Sequence, residues 1–146
     1  MIWRIIAVGK LKDLNLKSCF EDYAGRISRY CRFEHVEIKQ GDENAVSARV
    51  LEKIRPGEIL VVLDEKGLSM TSAEMASKLE KWSVQGVKGI NFVIGGAEGV
   101  PDTVINRADT KLALSSLTFP HQMARLVLAE QMYRAWTIIR GEPYPR

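Results

Sequence analysis

Apolar positions along this chain come in two kinds of run, short continuous blocks and longer stretches with helical spacing, and the two kinds alternate. Ile2 to Val8 is a short apolar run stopped by Gly9, which predicts a first strand. Leu16, Cys19, Phe20, Tyr23, Ile27, Tyr30 and Cys31 recur at i, i+3, i+4 spacing and predict an amphipathic helix. Val36 and Ile38 alternate with Glu37, a second strand, and Val46, Val50 and Ile54 mark a second helix stopped by Arg55-Pro56-Gly57. Ile59 to Leu63 is continuously apolar, as expected of a strand covered on both faces, and Asp64-Glu65-Lys66-Gly67 follows as a loop. Thr71 and Glu74 have the spacing of a capping box and open a helix through Met75, Leu79 and Trp82. Ile90 to Ile94 is another buried strand running into Gly95-Gly96-Ala97-Glu98-Gly99. Pro101 suits the first turn of a short helix, Lys111 to Ser115 reads as a fifth strand, and a long helix runs from about Pro120 to Arg140. Strands separated by helices predict an α/β fold, a parallel sheet of about five strands with helices on both faces.

A length of 146 residues suits a single domain, 1–146, and would cramp two. Apolar residues at 46% and charged residues at 27% are ordinary globular values, which excludes a disordered chain or a coiled coil. No apolar run approaches the ~18 residues of a membrane span. The first residues lack the long apolar core of a signal peptide and read as a strand, so a cytoplasmic protein is expected. A net charge of +3 permits a nucleic-acid partner without requiring one. Cys19 and Cys31, placed on one helix, would lie roughly 18 Å apart, too far for a disulfide. Both are expected to be small buried hydrophobes. With only two histidines and no Cys/His cluster, no metal site is expected.

In parallel sheets ligands bind outside the carboxyl ends of the strands. Three segments fall there: the residues after Leu63, the glycine loop 95–99, and Leu114 to Phe119. Three glycines in five residues let backbone approach a ligand closely, or simply make a strand-to-helix turn. The loop is neither G-x-G-x-x-G nor a Walker motif, which argues against NTP hydrolysis. On the long helix, Met123, Val127, Leu128, Met132, Ala135, Trp136, Ile138 and Ile139 span an apolar arc of about 200°. That is wide for one sheet face and suggests a second covering surface, such as a partner subunit. Arg125 falls inside the arc. It is either half of a structural ion pair, for instance with Glu130 of a second subunit, or a contact to an anion or base. His121, at the helix start, is a helix-end hydrogen bonder or a titrating group. Tyr144 and Arg146 in the tail could stack on and contact a nucleotide, or pack against a neighbour. Arg26, Arg29 and Arg32 make either a solvated face or an RNA contact.

Ile94-Gly95-Gly96-Ala97-Glu98-Gly99, Leu114-Ser115 with Leu117-Thr118-Phe119-Pro120-His121-Gln122, Glu130-Gln131-Met132-Tyr133-Arg134-Ala135, and Gly141 with Pro143-Tyr144 together resemble the large-subunit ribosomal RNA methyltransferase H family. Ile5 to Lys10, and Tyr23 with Arg26 and Tyr30, match as well, so the resemblance covers essentially the whole chain. It implies a C-terminal trefoil knot of the SPOUT class and a homodimer. It implies methylation of N3 of a pseudouridine in 23S ribosomal RNA on the assembled ribosome, with S-adenosylmethionine as donor and S-adenosylhomocysteine as product. The cofactor positions carry over to Leu63, Gly95, Leu114, Ser115, Ser116, Leu117, Thr118 and Phe119. Methyl transfer to an imide nitrogen calls for a cation beside the developing anion and a proton acceptor. Arg125 and Arg134 are the candidate cations and His121 the candidate acceptor. The family usually ends in Tyr-His and a basic residue, whereas this chain ends Tyr144-Pro145-Arg146. A non-catalytic RNA-binding module on the same fold, or a small nucleotide-binding oxidoreductase, would be the competing functions.

Overall fold

The computed structural model describes residues 1–145, so the expectation for Arg146 lies outside the described residues. The elements are β1 (Ile2–Val8), α1 (Leu14–Ile27), β2 (Arg32–Ile38), α2 (Glu43–Leu51), β3 (Glu58–Ser69), α3 (Ser72–Val84), β4 (Gly89–Ile94), α4 (Asp102–Arg107), β5 (Thr110–Ala113) and α5 (His121–Arg140). All four strand pairings are parallel, in the order β2-β1-β4-β3-β5.

Alternate residues of each strand supply two cores. Trp3, Ile5 and Ala7 of β1 join Phe92 of β4 in a core closed by Phe20 and Ile27 of α1, Met75 and Leu79 of α3, and Leu128 and Met132 of α5. Ile6 and Val8 face the other way with Val62 and Val93, under Val46 and Val50 of α2 and Val104 of α4. Helices therefore cover both sheet faces, as the continuous apolar strands required. Thr71 and Glu74 make the expected reciprocal cap of α3, and Gly141 ends α5 in the left-handed conformation at φ 67°.

Several expectations are corrected. Helix α1 stops at Ile27, and Cys31 lies outside it, half-buried, while Cys19 is exposed. The periodicity beyond Ile27 arises because the chain turns and Tyr30 still packs against the same core. Arg29 and Arg32 consequently leave the helix face that Arg26 occupies. Asp64 to Gly67 is not the end of the third strand. The pairing of β3 with β5 shifts register between Leu63 and Leu68 and then resumes to Ser69. Gly67 permits this, because a Cβ there would sit 2.6 Å from the Lys111 carbonyl carbon.

The wide apolar arc of α5 is covered mostly inside the chain. The helix packs on the sheet and between α1 and α3. Trp136 is stacked between Trp3 (4.8 Å between ring centres) and Tyr30 (5.5 Å). The arc by itself therefore does not call for a second chain, although Met123 and Ile138 stay exposed. At the amino end of the sheet, buried Arg4 interrupts the apolar run of β1. It donates to Glu34 (2.7 Å), to both Glu58 oxygens (2.8 Å) and to Asn91 Oδ1 (3.2 Å). A lone charge among apolar neighbours is tolerated when its donors are met in this way.

Candidate cofactor cleft

The carboxyl ends of β3, β4 and β5 open into a cleft of about 320 Å³, within the size range of small-molecule sites. Its walls come mainly from three segments, Leu63 to Lys66 in the β3 bulge, Ile94 to Gly96 with Gly99 and Val100 in the glycine loop, and Leu114 to Ala124 in part, with Ile105 and Leu112 completing them. Of the eight residues named from sequence as cofactor contacts, seven line it: Leu63, Gly95, Leu114, Ser115, Leu117, Thr118 and Phe119. Ser116 does not. His121, in the first turn of α5, also lines the cleft.

The loop geometries have local causes. Gly95 has no room for a side chain, since a Cβ would lie 2.3 Å from the Gly99 carbonyl carbon and 2.6 Å from Val100 N. Gly99 returns the chain at φ 78° and its N–H donates to the Gly96 carbonyl at 3.0 Å. The glycines thus let the loop fold back on its own backbone. Across the cleft, the Leu117 N–H donates to Ser115 Oγ at 3.0 Å, which fixes the turn after β5. Pro120 precedes α5, whose first turn has no side-chain cap and no acidic residue.

Arg125 does not reach the cleft. It is 1% exposed, and its Nη1 donates to Glu37 Oε2 of β2 at 2.8 Å. Nη2 donates to the Gly9 carbonyl at 3.3 Å, and His35 Nε2 lies 3.3 Å from Nη1. The ion-pair reading of Arg125 is therefore the one the structure supports, with Glu37 of its own chain in place of Glu130 of a second. Sequence reasoning missed Glu37. The signal was present in β2, where register pairs Ala7 with Glu37 and Ile5 with His35, placing both polar residues on the face that α1 and α5 cover. Glu130 is engaged elsewhere. It accepts from Arg134 Nη2 (2.7 Å) and from the Tyr144 hydroxyl (2.9 Å), while the Arg134 guanidinium lies over the Tyr144 ring. The tail thus folds back onto α5, and Tyr144 meets Tyr133 edge-on. Burial, with Tyr23 and Glu130, pushes the Tyr144 hydroxyl well above the usual tyrosine range.

His35 is the titrating group of this region. Burial first, and Arg125 second, lower its pKa from 6.5 to about 4. The ring therefore stays neutral and Nε2 accepts from Arg125. A group that binds its proton more weakly when folded makes stability fall as pH drops from its unfolded value to its folded one. Stability is expected to decline as pH falls from 6.5 to about 4. His35→Gln should flatten that part of a pH series of denaturant unfolding curves, and an unchanged slope would exclude His35 as its source.

Comparison with known proteins agrees with this geometry. Residues 1–145 match a family model described as "Predicted SPOUT methyltransferase". The chain is 43% identical to the ribosomal RNA large subunit methyltransferase H of Acetivibrio thermocellus, over 97% of this chain and 98% of that one. The chain belongs to that family of SPOUT methyltransferases. Its relative of the same name in Limosilactobacillus reuteri is 42% identical over 97% of both chains. Two solved structures share the fold at low identity. A "probable methylase family protein" from Haemophilus influenzae superposes with a TM-score of 0.56 at 12% identity, over 99% of this chain and 70% of that one. The SpoU methyltransferase AviRb from Streptomyces viridochromogenes, solved with AdoMet, gives a TM-score of 0.51 at 10% identity. The match covers 90% of this chain but only 56% of AviRb. No helix among the described residues is long and apolar enough to cross a membrane.

Proposed function

We propose that this protein transfers a methyl group from S-adenosylmethionine to N3 of a pseudouridine in 23S ribosomal RNA, acting on the assembled ribosome in the cytoplasm as a single-domain homodimer with a knotted C-terminal half. The observation that carries the reading is the cleft, where three chain-distant segments bring together seven residues singled out by the family pattern. Its chemistry suits the cofactor. Leu63, Ile94, Leu114 and Phe119 offer apolar surface to an adenine ring, and Asp64 and Glu65 at the same cleft offer negative charge to the ammonium and sulfonium groups. When bound, S-adenosylmethionine supplies an electrophilic methyl and leaves as S-adenosylhomocysteine.

The chain's own residues must hold the imide nitrogen in line with that methyl and accept its proton. His121, which lines the cleft, is the residue assigned here to accept it. Arg134 and Tyr144 are distant from the cleft within one chain: Arg134 follows His121 by 13 residues of continuous helix, roughly 20 Å. Their action on a bound base therefore requires a second copy that brings its α5 end and tail to the cleft of the first. The exposed Leu117 beside the cleft and Met123 on α5 are apolar surface available for that copy.

Calorimetry with S-adenosylmethionine and sedimentation at micromolar concentration test the first part: micromolar binding and a dimer are expected. Methyl transfer from labelled cofactor to ribosomes lacking the modification, and none to ribosomes already carrying it, tests the second. A protein that binds ribosomes but no cofactor would instead be a non-catalytic RNA module.

A further inference from the structure

In the segment joining β1 to α1, backbone groups of Gly9, Leu11 and Lys12 are held by side chains from elsewhere in the chain. The Gly9 carbonyl accepts from Arg125, the Leu11 N–H donates to Glu37 Oε2 at 2.7 Å, and the Lys12 N–H donates to Gln122 Oε1 at 3.2 Å. The Leu11 side chain is buried beneath. Arg125 and Glu37 are themselves paired, and Gln122 stands in the first turn of α5 beside His121. The result is a short loop held rigidly against the helix end that walls the cofactor cleft.

Two side chains of this loop have no such engagement. Lys10 and Lys12 are exposed, and among the described residues neither takes part in an ion pair. The neighbouring Asp13 is occupied as the cap of α1, accepting from Asn15 and Leu16. The first turn of α5, against which the loop rests, presents free N–H groups with no acid nearby in sequence, so the helix dipole adds to the positive field. Lysine on a floppy loop loses much conformational freedom on binding an anion, and a pinned backbone lowers that cost.

We propose that Lys10 and Lys12 bind backbone phosphates of the RNA strand that presents the target base, and that the Arg125–Glu37 pair and Gln122 act as positioning residues for them. The proposal rests on the function proposed above. It assigns a substrate contact to a loop outside the cofactor segments, on the same edge of the sheet.

The test compares wild type with Lys10→Ala/Lys12→Ala in methylation of unmodified ribosomes over a series of salt concentrations. Both lysines are solvent-exposed, so the variant should keep its melting temperature and its calorimetric affinity for S-adenosylmethionine. The KM for ribosomes should rise on the order of tenfold, and the slope of log kcat/KM against log salt should become shallower by about 1.4, two single-strand contacts at about 0.7 each. Gln122→Ala should raise KM with the slope unchanged, because it loosens the loop and removes no charge. Equal KM and equal salt slope in wild type and the double lysine variant would overturn the proposal while leaving the methyltransferase reading intact. Absence of any methylation by a cofactor-binding wild type would overturn both.

Discussion

Glu37→Ala is expected to cost about 3–5 kcal/mol of stability, the scale of leaving a buried charge without its partner. Arg125 is 1% exposed, and the Glu37 carboxylate is its one charged partner among the described residues. Its other partners, the Gly9 carbonyl and His35 Nε2, are neutral acceptors at 3.3 Å and do not balance the charge. The same truncation removes the acceptor of the Leu11 N–H. Arg125→Met should cost less, because the Glu37 side chain is 35% exposed and can be hydrated. That variant also fills the apolar stripe with a flexible side chain of similar length. Urea unfolding of both variants gives the order, and a Glu37→Ala protein as stable as wild type would show that the pair contributes nothing. The asymmetry also decides what Arg125 does in catalysis. A direct contact to the target base would make Arg125→Met lose turnover while remaining folded. With the arginine buried against β2 and absent from the cleft lining, the folded fraction should keep its kcat, and the loss should fall on stability and on KM for RNA.

Much of the architecture could be read from the chain because burial on both faces leaves a strong mark. Apolar runs such as Ile59 to Leu63, or Ile90 to Ile94 broken only by Asn91, occur where a parallel strand has helices above and below. The Thr71 and Glu74 cap was legible for a similar reason, being local and reciprocal. What could not be read was set by pairing between distant segments. The return of β3 after its bulge depends on Leu68 finding Leu112 across the sheet, and no periodicity within 64–69 announces it. The partner of Arg125 lies 88 residues away in sequence, on β2 and not on α5 of a second subunit. Helical spacing continued through Tyr30 and Cys31 because residues of a turn can face the same core as the helix before them. That seven of the eight candidate cofactor residues line one cleft followed from the family pattern more than from chemistry. Its walls are largely leucines, glycines and small hydroxyl residues, types that elsewhere make ordinary core and turns.

The glycine loop offers the sharpest separation between a turn and a binding element. Gly95→Ala should lower stability by about 1–3 kcal/mol, as overpacking does, and lower S-adenosylmethionine affinity on the order of a hundredfold, about 2.7 kcal/mol. The added methyl would meet the Gly99 carbonyl carbon at 2.3 Å and its oxygen at 2.6 Å, backbone atoms that can retreat only if the loop opens. Opening moves Gly99 and Val100, which line the cleft together with Gly95 itself. A side chain at 95 would take space from the loop, and its effect on the ligand is expected to come through the wall. Gly96→Ala is the matched control. Its methyl would meet Val8 at 3.5 Å, an ordinary packing distance, and Gly96 carries no positive φ. That variant should fold nearly as wild type, and since Gly96 also lines the cleft, affinity lost there without loss of stability would mark a direct contact with the ligand. Calorimetry and thermal melting on the same preparations distinguish the cases. A Gly95→Ala protein that melts earlier yet binds cofactor unchanged in its folded fraction would make the loop a turn and nothing more. One that loses affinity while Gly96→Ala keeps it would place the cofactor against the wall that Gly95 and Gly99 build together.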